Sequence, residues 1–457
     1  MKTVKLLFKI TLCLVPLWFT MGYTAFSYDN YGNDMIIYNL WHKKMCRSKE
    51  LKKYNLIALG DSVANAAYVP DYISEDFINL SIPQATPVEI YFVLKEILKI
   101  HKPSTIFISF MNHHLAGTMN GWFTERLFSH RFDFITEAKI MNYARKHKTE
   151  RSMFPKHYFL EWLSYRLYLP SVFIPSLLNS SFNTRKKSNK QFKKMLDLHR
   201  GTFISRTTKE NIDNSRVTWK SYSLSDLQKK FYKKILQLCN EQNIKVKIVI
   251  LPLNPKVSET YLKQRDTLYA DLTAGYSDVE VVQPFINLSS TDFHDTHHLN
   301  IHGSFKFSTA LRDRYKDIFS SPENQQPSER TISGREDYIT LENEYSTLLM
   351  RIEDPFYAII FNPQGNLSER IRKGDLNIKG IKPYQYDNLF LLNRDKLDNL
   401  SLNPEQKYIE FSLGKKRKDI GRWQIADIHV IIVNKKKNEI VAEKRFVFKD
   451  RSLKAIK

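Results

Sequence analysis

The sequence is poor in cysteine and lacks the short motifs that define several common functional classes. Three cysteines occur in 457 residues, and no Cys-x-x-Cys pair is present. The chain also has no zinc-finger spacing, no Walker loop and no RNA-binding aromatic signature. No internal repeat is visible. These absences argue against nucleic acid as a partner.

Few cysteines are unusual for a chain that is exported. Cys13 lies within an apolar stretch, which leaves Cys46 and Cys239. These two residues could form one disulfide or stay as unpaired thiols, and the sequence favours neither.

Acidic residues are also scarce relative to basic ones. Lysine and arginine number 70 against 48 acidic residues, so the formal net charge is +22. A positive surplus favours an anionic partner such as a membrane surface or an acidic polymer, although a solvated basic face explains it too. The hydrophobic content of 42% predicts a globular chain, and the length allows two or three domains.

The N-terminus has the pattern of a membrane element. Lys2, Lys5 and Lys9 precede an apolar stretch over residues 10–26, and Asp29 follows it. Basic residues before the stretch place the N-terminus in the cytoplasm and the body outside. We therefore expect residues 1–27 to be a single-pass signal anchor in the inner membrane, with a periplasmic or otherwise extracytoplasmic body. A cleaved signal peptide is the alternative.

A regular alternation of strands and helices follows a juxtamembrane segment at residues 28–53. The predicted strands cover residues 55–59, 77–80, 105–110, 246–251 and 279–282, with helical apolar spacing between them. This pattern predicts an α/β domain over residues 54–319. Five such strands suit a flavodoxin-like, doubly wound parallel sheet.

The rhythm stops at residues 113–220, which are rich in aromatic and basic side chains. This insertion follows the third strand and would overhang a site at that sheet edge. A helical lid or membrane-facing cap is one interpretation, and a structural elaboration without a direct role is the other.

The C-terminal part has a different period. Residues 320–336 contain Pro322, Pro327 and Gly334 and have the composition of a linker. Residues 337–457 then carry short strand patterns, and the last two strands are joined by the polar turn 434–438. We expect a β-rich, sandwich-like accessory domain that either binds carbohydrate or a partner, or is purely structural.

Two motifs bracket the α/β domain and point to chemistry. Gly60-Asp61-Ser62 follows the first strand, and Asp295 and His298 directly precede the last helix. A serine is a weak nucleophile unless a base accepts its proton and a carboxylate orients that base. Ser62, His298 and Asp295 are therefore the candidate catalytic residues.

This order of motifs resembles that of the GDSL/SGNH hydrolase superfamily. Leu299-Asn300 followed by Gly303 resembles the form found in its envelope acyltransferase relatives, the alginate acetylation and teichoic-acid alanylation proteins. The resemblance covers roughly residues 54–319. It implies an SGNH-type fold in which Ser62 comes from the first block and the Asp295/His298 pair from the last.

The resemblance also implies an oxyanion hole built by residues of two middle blocks. Asn112, after the third strand, would supply a side-chain donor, and the backbone at Gln84 a second donor. The family usually has glycine where this chain has Gln84, and a glycine-only backbone conformation would be costly for glutamine.

A metal site is the alternative to the triad, because His294, His297, His298 and His302 lie close together in sequence. Catalytic zinc needs three ligands in a defined geometry. Polar residues in a loop and at a helix start explain these histidines without a metal. We expect neither metal nor cofactor.

The leading functional hypothesis is a membrane-anchored serine O-acyltransferase, acting by O-acetyl transfer on a cell-envelope polysaccharide that is anionic or neutral. The resemblance implies a membrane-bound O-acyltransferase as the partner that donates the acyl group. The alternatives are a carbohydrate esterase of the same fold and a catalytically silent polysaccharide-binding assembly factor.

Overall fold

The structure is a computed structural model of the whole chain, and it divides into two compact units, Met1–Gln325 and Gln326–Lys457. The residues that it describes are 2–27, 34–116, 132–146, 182–203, 224–257, 259–276, 279–319, 327–343, 345–352, 356–361, 381–383, 389–392, 400–403, 408–413, 416–419, 428–434, 436–437, 439–449 and 452–455.

The first unit contains eleven helices among its described residues. They are α1 (Lys2–Ser27), α2 (Asp34–Arg47), α3 (Ser62–Ala67), α4 (Pro70–Ile73), α5 (Pro87–Leu98), α6 (Asn112–Ala116), α7 (Phe134–Lys146), α8 (Phe182–Leu198), α9 (Asp226–Glu241), α10 (Glu259–Thr273) and α11 (Ile301–Arg314). Helix α2 and a 3₁₀ turn at Lys49–Lys53 occupy the predicted juxtamembrane segment.

Helix α1 is long and apolar enough to cross a membrane. Its most apolar window, Thr3–Thr20, has a mean hydropathy of 1.5 and is entirely unburied. Among the described residues it is the one helix with this property, and a signal sequence would have it too. The window begins earlier than the predicted stretch 10–26, because the helix continues through the three lysines.

Five parallel strands form the sheet of the first unit. They are β1 (Leu56–Gly60), β2 (Phe77–Asn79), β3 (Thr105–Ser109), β4 (Lys245–Val249) and β5 (Val279–Val282), in the spatial order β2-β1-β3-β4-β5. This confirms the predicted α/β domain with its parallel sheet. The order grows outward in two directions from the β1/β3 pair, and ligands of open α/β sheets bind at such a point, outside the carboxyl ends of the strands.

Helices cover the sheet on both faces because its central strands are apolar on both sides. Ile57 and Leu59 of β1 join a core with α2, α5, α9 and α10, whereas Leu56 and Ala58 join a second core with α3 and α11. All five residues of β1 and of β3 are buried. Continuous apolar strands of this kind are typical of parallel sheets.

None of the three cysteines forms a disulfide. Cys46 and Cys239 are buried, and Sγ of Cys46 lies 3.2 Å from Nδ1 of His42. Of the predicted insertion 113–220, the structure describes the greater part of α6, then α7, α8 and the residues around them, and the remainder lies outside the described residues.

The described residues of the second unit form antiparallel strands and two helices. Its strands are β6 (Phe356–Phe361), β7 (Ile381–Pro383), β8 (Leu389–Leu392), β9 (Leu400–Asn403), β10 (Tyr408–Leu413), β11 (Lys416–Asp419), β12 (Ile428–Asn434), β13 (Glu439–Lys449) and β14 (Ser452–Ala455). Six of them form a sheet in the order β14-β13-β12-β6-β8-β7, and three form a sheet in the order β11-β10-β9. The predicted β-rich character is confirmed.

The start of the second unit is helical where a linker was expected. Helix α12 (Glu329–Leu341) begins inside the stretch expected to be a linker, with Ser328 as its N-cap. With α13 (Tyr345–Met350), it packs on the six-stranded sheet in one core. The predicted hairpin is confirmed, because β12 and β13 pair in antiparallel orientation. The side chain of Asn434 stabilises its turn by accepting two hydrogen bonds from the turn's backbone.

Candidate active site

Ser62 lies at the carboxyl end of β1, as the first residue of α3. Asp61 caps this helix, because its Oδ1 accepts a hydrogen bond of 3.0 Å from the backbone N–H of Val63. Gly60 packs so tightly that a Cβ atom there would lie 2.0 Å from the carbonyl oxygen of Ser109. The turn into α3 therefore depends on glycine at position 60.

His298 connects Ser62 to Asp295. Its Nε2 lies 2.7 Å from Oγ of Ser62, and its Nδ1 lies 2.7 Å from Oδ2 of Asp295. With Nδ1 protonated, the ring donates to the carboxylate and Nε2 accepts from the serine hydroxyl. Three residues predicted from two distant motifs are thus brought together in the geometry of a serine triad.

The loop that carries Asp295 and His298 is closed by its own backbone. Phe293 and Leu299 form an antiparallel bridge, and the N–H of His294 donates to the carbonyl of His298 at 2.8 Å. Oδ1 of Asp295 accepts from the backbone N–H groups of His297 and His298, at 2.9 and 2.7 Å. The carboxylate therefore holds both the loop and the imidazole.

The end of this loop is anchored to α11. Asn300 caps the helix by accepting from the N–H groups of His302 and Gly303. A Cβ atom at Gly303 would lie 2.1 Å from the carbonyl oxygen of Asp292, so glycine allows the loop to lie against the helix. The pattern Leu299-Asn300 and Gly303 is thus explained locally, because Leu299 closes the loop, Asn300 caps α11 and Gly303 lets the loop approach the helix.

Ser308 joins α11, which follows the loop that carries His298, to α3, which begins with Ser62. Its hydroxyl donates to the carbonyl of Ala67 at the end of α3 and accepts from the N–H of Val69, both at 2.9 Å. Tyr72 and Phe305 add an edge-to-face ring contact between α4 and α11. These contacts hold α3 against α11, and so Ser62 against His298.

The electrostatics of the site keep the carboxylate charged and the neighbouring histidine neutral. Burial raises the pKa of Asp295, but the hydrogen bond from His298 and the charges of His297 and His298 outweigh it, so the pKa lies well below its usual range. Burial, together with the charge of His298, lowers the pKa of His297 to about 4. A negative charge on Asp295 favours the proton on Nδ1 of His298.

A second carboxylate–histidine pair lies behind the nucleophile and was not expected from the sequence. Oδ2 of Asp61 lies 2.5 Å from Nδ1 of His114 and accepts from the N–H of Met111 at 2.7 Å. The side chains of Asp61 and His114 are almost completely buried. The available signal was the aspartate before a helix start, which predicts a cap but not its partner across the sheet.

The candidate oxyanion residues are placed as follows. Asn112 is buried and begins α6, just beyond β3, whose last residue Ser109 pairs with Gly60 of β1. Asn112 and Ser62 therefore leave the same edge of the sheet. No hydrogen bond joins these two side chains within the part of the chain that the structure describes.

Gln84 is exposed and has a φ of 61°, in the left-handed region. It follows Pro83 in a turn that is closed by the N–H of Ala85 donating to the carbonyl of Ile82. The conformation expected to require glycine is therefore present with glutamine in place. In the same turn, the N–H of Ile82 donates to the carbonyl of Gly60, which ties the turn to the end of β1.

The histidine cluster offers one set of potential metal ligands. Among the described residues, Asp295, His297 and His298 have ligand atoms that all lie within 4.8 Å of one another. His298 already uses both ring nitrogens toward Ser62 and Asp295, so a metal there would replace the triad hydrogen bonds. His294 and His302 are not part of this group.

No family model matches the chain, and no curated protein matches it. One solved structure that aligns with it is described as "The structure of a putative platelet activating factor from Streptococcus pneumonia". The alignment covers 67% of this chain and 98% of that one, at 12% identity and a TM-score of 0.31. A score this low carries no argument about fold or function.

Proposed function

We propose that this protein is a membrane-anchored, extracytoplasmic serine O-acyltransferase that transfers acetyl groups to a cell-envelope polysaccharide. The observation that carries the proposal is the position of His298, 2.7 Å from both the Ser62 hydroxyl and the Asp295 carboxylate. Nucleophile, base and orienting carboxylate are the three parts that covalent acyl transfer requires.

The chemistry follows from these contacts. Oγ of Ser62 attacks the acyl carbonyl of the donor while its proton moves to Nε2 of His298. The donor's alcohol leaves with that proton, and an ester on Ser62 remains. A sugar hydroxyl then attacks this ester, gives its proton to His298, and the serine hydroxyl is restored when the proton returns to Oγ.

The negative oxygen formed in each addition step needs hydrogen-bond donors. The N–H of Ser62, the side chain of Asn112 and a backbone amide near Gln84 are the proposed donors, the last two by resemblance to the SGNH superfamily. One such donor is typically worth about 2.7–4 kcal/mol in the transition state.

The resemblance also guides the wider proposal. The sheet order and the site at the carboxyl end of β1 support a flavodoxin-like, SGNH-type fold for the first unit. We propose that α1 anchors the chain in the inner membrane, that a membrane-bound O-acyltransferase supplies the acyl group, and that the second unit binds polysaccharide.

A carbohydrate esterase is the second candidate, and solvent access favours it. The side chains of His298 and Asp295 are 25% and 36% exposed. Water that reaches the acyl-enzyme would compete with a sugar hydroxyl, so hydrolysis becomes the reaction unless a bound acceptor excludes water.

The test of the triad is covalent labelling of the full chain. A fluorophosphonate should modify Ser62, as located by mass spectrometry, and Ser62→Ala should abolish both labelling and turnover of a chromogenic acetyl ester. Ser188→Ala, an exposed serine on α8, is the matched control and should label normally. Labelling at another serine, or normal turnover by Ser62→Ala, would remove the basis of the proposal.

The same assay separates the two activities. Adding an oligosaccharide acceptor should give acetylated sugar and reduce free acetate if the protein is a transferase. Free acetate alone identifies an esterase. Absence of both reactions and of labelling favours the silent assembly factor.

A further inference from the structure

Helix α2 runs along the sheet from the carboxyl ends of the strands to their amino ends. The carboxyl ends, where Ser62 lies, are here called the catalytic edge, and the amino ends the opposite edge. Near its start, the hydroxyl of Tyr38 donates to the carbonyl of Ser81, two residues beyond the carboxyl end of β2. At its end, Arg47 forms an ion pair of 2.8 Å with Glu96 near the end of α5, and the chain then enters β1. The start of α2 therefore lies on the same side of the sheet as Ser62.

The apolar helix α1 ends just before this point. Only six residues separate Ser27, the last residue of α1, from Asp34, the first residue of α2. A chain of this length spans at most about 25 Å when fully extended. A membrane that holds α1 is thus within about 25 Å of the catalytic end of α2.

Helix α8 packs against α2 and reaches the same edge. Near its C-terminus, Asp197 accepts a 2.6 Å hydrogen bond from the indole of Trp41 on α2. One to two turns earlier, Phe192 contacts the ring of Phe203, whose backbone N–H donates to Asn65 on the helix that begins at Ser62. The N-terminal half of α8 therefore lies at the catalytic edge.

Helix α8 carries a row of four exposed lysines, three of them in its N-terminal half. At 100° per residue, they cover an arc of about 100° on the helix surface. They are Lys186, Lys187, Lys190 and Lys194. The acidic residue of α8, Asp197, is the second-to-last residue of the helix and accepts a hydrogen bond from Trp41. A row of four positive charges beside a membrane complements anionic lipid headgroups.

We propose that this lysine row binds anionic lipid headgroups of the membrane that holds α1, so that the catalytic edge faces the bilayer. The proposal rests on the membrane anchorage put forward under the proposed function, and it adds the orientation of the site. The acyl donor would then be met at the membrane surface, rather than in the surrounding medium.

The test uses the full chain in vesicles and measures which edge of the sheet lies closer to the bilayer. In a Cys13→Ser background, a donor fluorophore is placed on Ser188→Cys of α8, or on Asn55→Cys before β1, both exposed positions. An acceptor is carried on lipid headgroups. In phosphatidylcholine vesicles containing phosphatidylglycerol, we expect more energy transfer from position 188 than from position 55.

Charge reversal of four lysines tests the lipid contact. The row variant carries K186E, K187E, K190E and K194E. The matched control carries K49E, K52E, K53E and K99E, four exposed lysines at the opposite edge. The row variant, or 1 M salt, which shortens the screening length to about 3 Å, should abolish the excess transfer from position 188. The control variant should keep it.

Three results would overturn the proposal. The first is transfer from position 55 equal to or above that from position 188, and the second is a row variant that behaves as the wild type does. The third is failure of the chain to float with neutral vesicles, because α1 is then no anchor. If the row variant loses retention on immobilised polygalacturonate but keeps its transfer, the row binds glycan instead. Fluorophosphonate labelling of Ser62 is scored separately, so failure of the catalytic proposal is distinguishable.

Discussion

At the scale of single residues, His298 is the point on which the site depends. Both of its ring nitrogens are engaged, and the loop from Phe293 to Leu299 is closed around it by backbone hydrogen bonds. The carboxylate of Asp295 serves two purposes, because one oxygen binds the loop backbone and the other the imidazole. Substitutions at Asp295 can therefore be chosen to separate these two effects.

Asp295→Asn should keep the conformation of the loop but shift His298 to the wrong tautomer. The amide oxygen can still accept from the two backbone N–H groups, but the amide nitrogen would then face Nδ1 of His298 as a donor. Nε2 would carry the proton and could no longer accept from Ser62. We expect kcat to fall on the order of 10⁴-fold, as in other serine triads.

The matched control for this variant is Asp292→Asn, which changes a carboxylate of the same region that binds Lys306 and takes no part in the triad. Steady-state kinetics on a chromogenic ester should show most of the activity retained in the control. An Asp295→Asn variant as active as the control would mean that the carboxylate is not needed to orient His298.

Because of His297, the stability of the folded protein should decrease in acid. Its pKa is about 4 in the folded state against an ordinary value of 6.5, so the unfolded chain binds a proton that the folded chain does not. The free energy of unfolding should therefore decrease as pH falls from about 7.5 to about 4, by roughly 3 kcal/mol, and this contribution should be constant above about pH 7.5.

The variant that isolates this effect is His297→Gln, which does not titrate and can still hydrogen-bond to Thr296. Denaturant unfolding at several pH values should show a shallower slope between pH 4 and 6.5 for the variant than for the wild type. Identical slopes would assign the acid dependence to other groups.

At the scale of elements, backbone strain at one residue destabilises the turn between β2 and α5. Gln84 has a φ of 61°, and a non-glycine residue in the left-handed region costs roughly 1–2 kcal/mol. Glycine removes this cost but loses about 0.5–1 kcal/mol through its flexible unfolded state. We expect Gln84→Gly to stabilise the first unit by about 0.5–1 kcal/mol, measured by its unfolding transition.

Gln84→Ala is the control for this substitution, because alanine keeps the Cβ atom and so the same backbone cost. Its stability should equal that of the wild type. A loss of stability in Gln84→Gly would show that the exposed glutamine side chain itself contributes to the turn.

At the scale of the whole molecule, the proposed triad lies entirely within the first unit, Met1–Gln325. A chain ending at Gln325 should therefore keep fluorophosphonate labelling of Ser62 and hydrolysis of small esters. Its retention on an anionic polysaccharide should fall, because the second unit and its basic residues are removed. Retention by the full chain should also weaken with salt, since the screening length shortens from about 10 Å at 0.1 M to about 3 Å at 1 M.

The full-length Ser62→Ala variant is the control, because it should bind the polysaccharide as the wild type does while lacking activity. If the shortened chain loses activity on small esters, the second unit belongs to the catalytic fold and the division of labour is wrong.

The order of strands and helices in the first unit was accessible from sequence because it depends on local periodicity. The apolar runs at residues 55–59 and 105–110 predicted buried parallel strands, and the observed strands lie within a residue or two of the predictions. Chain order also predicted that Ser62 would leave the carboxyl edge of the sheet. The second unit was less accessible, because α12 and α13 carry no strong helical pattern and are stabilised by packing on a sheet formed later in the chain.

Contacts between distant segments were decided by the tertiary structure alone. Ser62 and His298 are 236 residues apart, and their 2.7 Å contact depends on α3 and α11 packing through Ser308. The Asp61–His114 pair depends on the register that sets Gly60 beside Ser109. Residue type and spacing determine which side chains can do chemistry, whereas the packing of both sheet faces determines which of them meet, because such contacts are formed between elements and not within them.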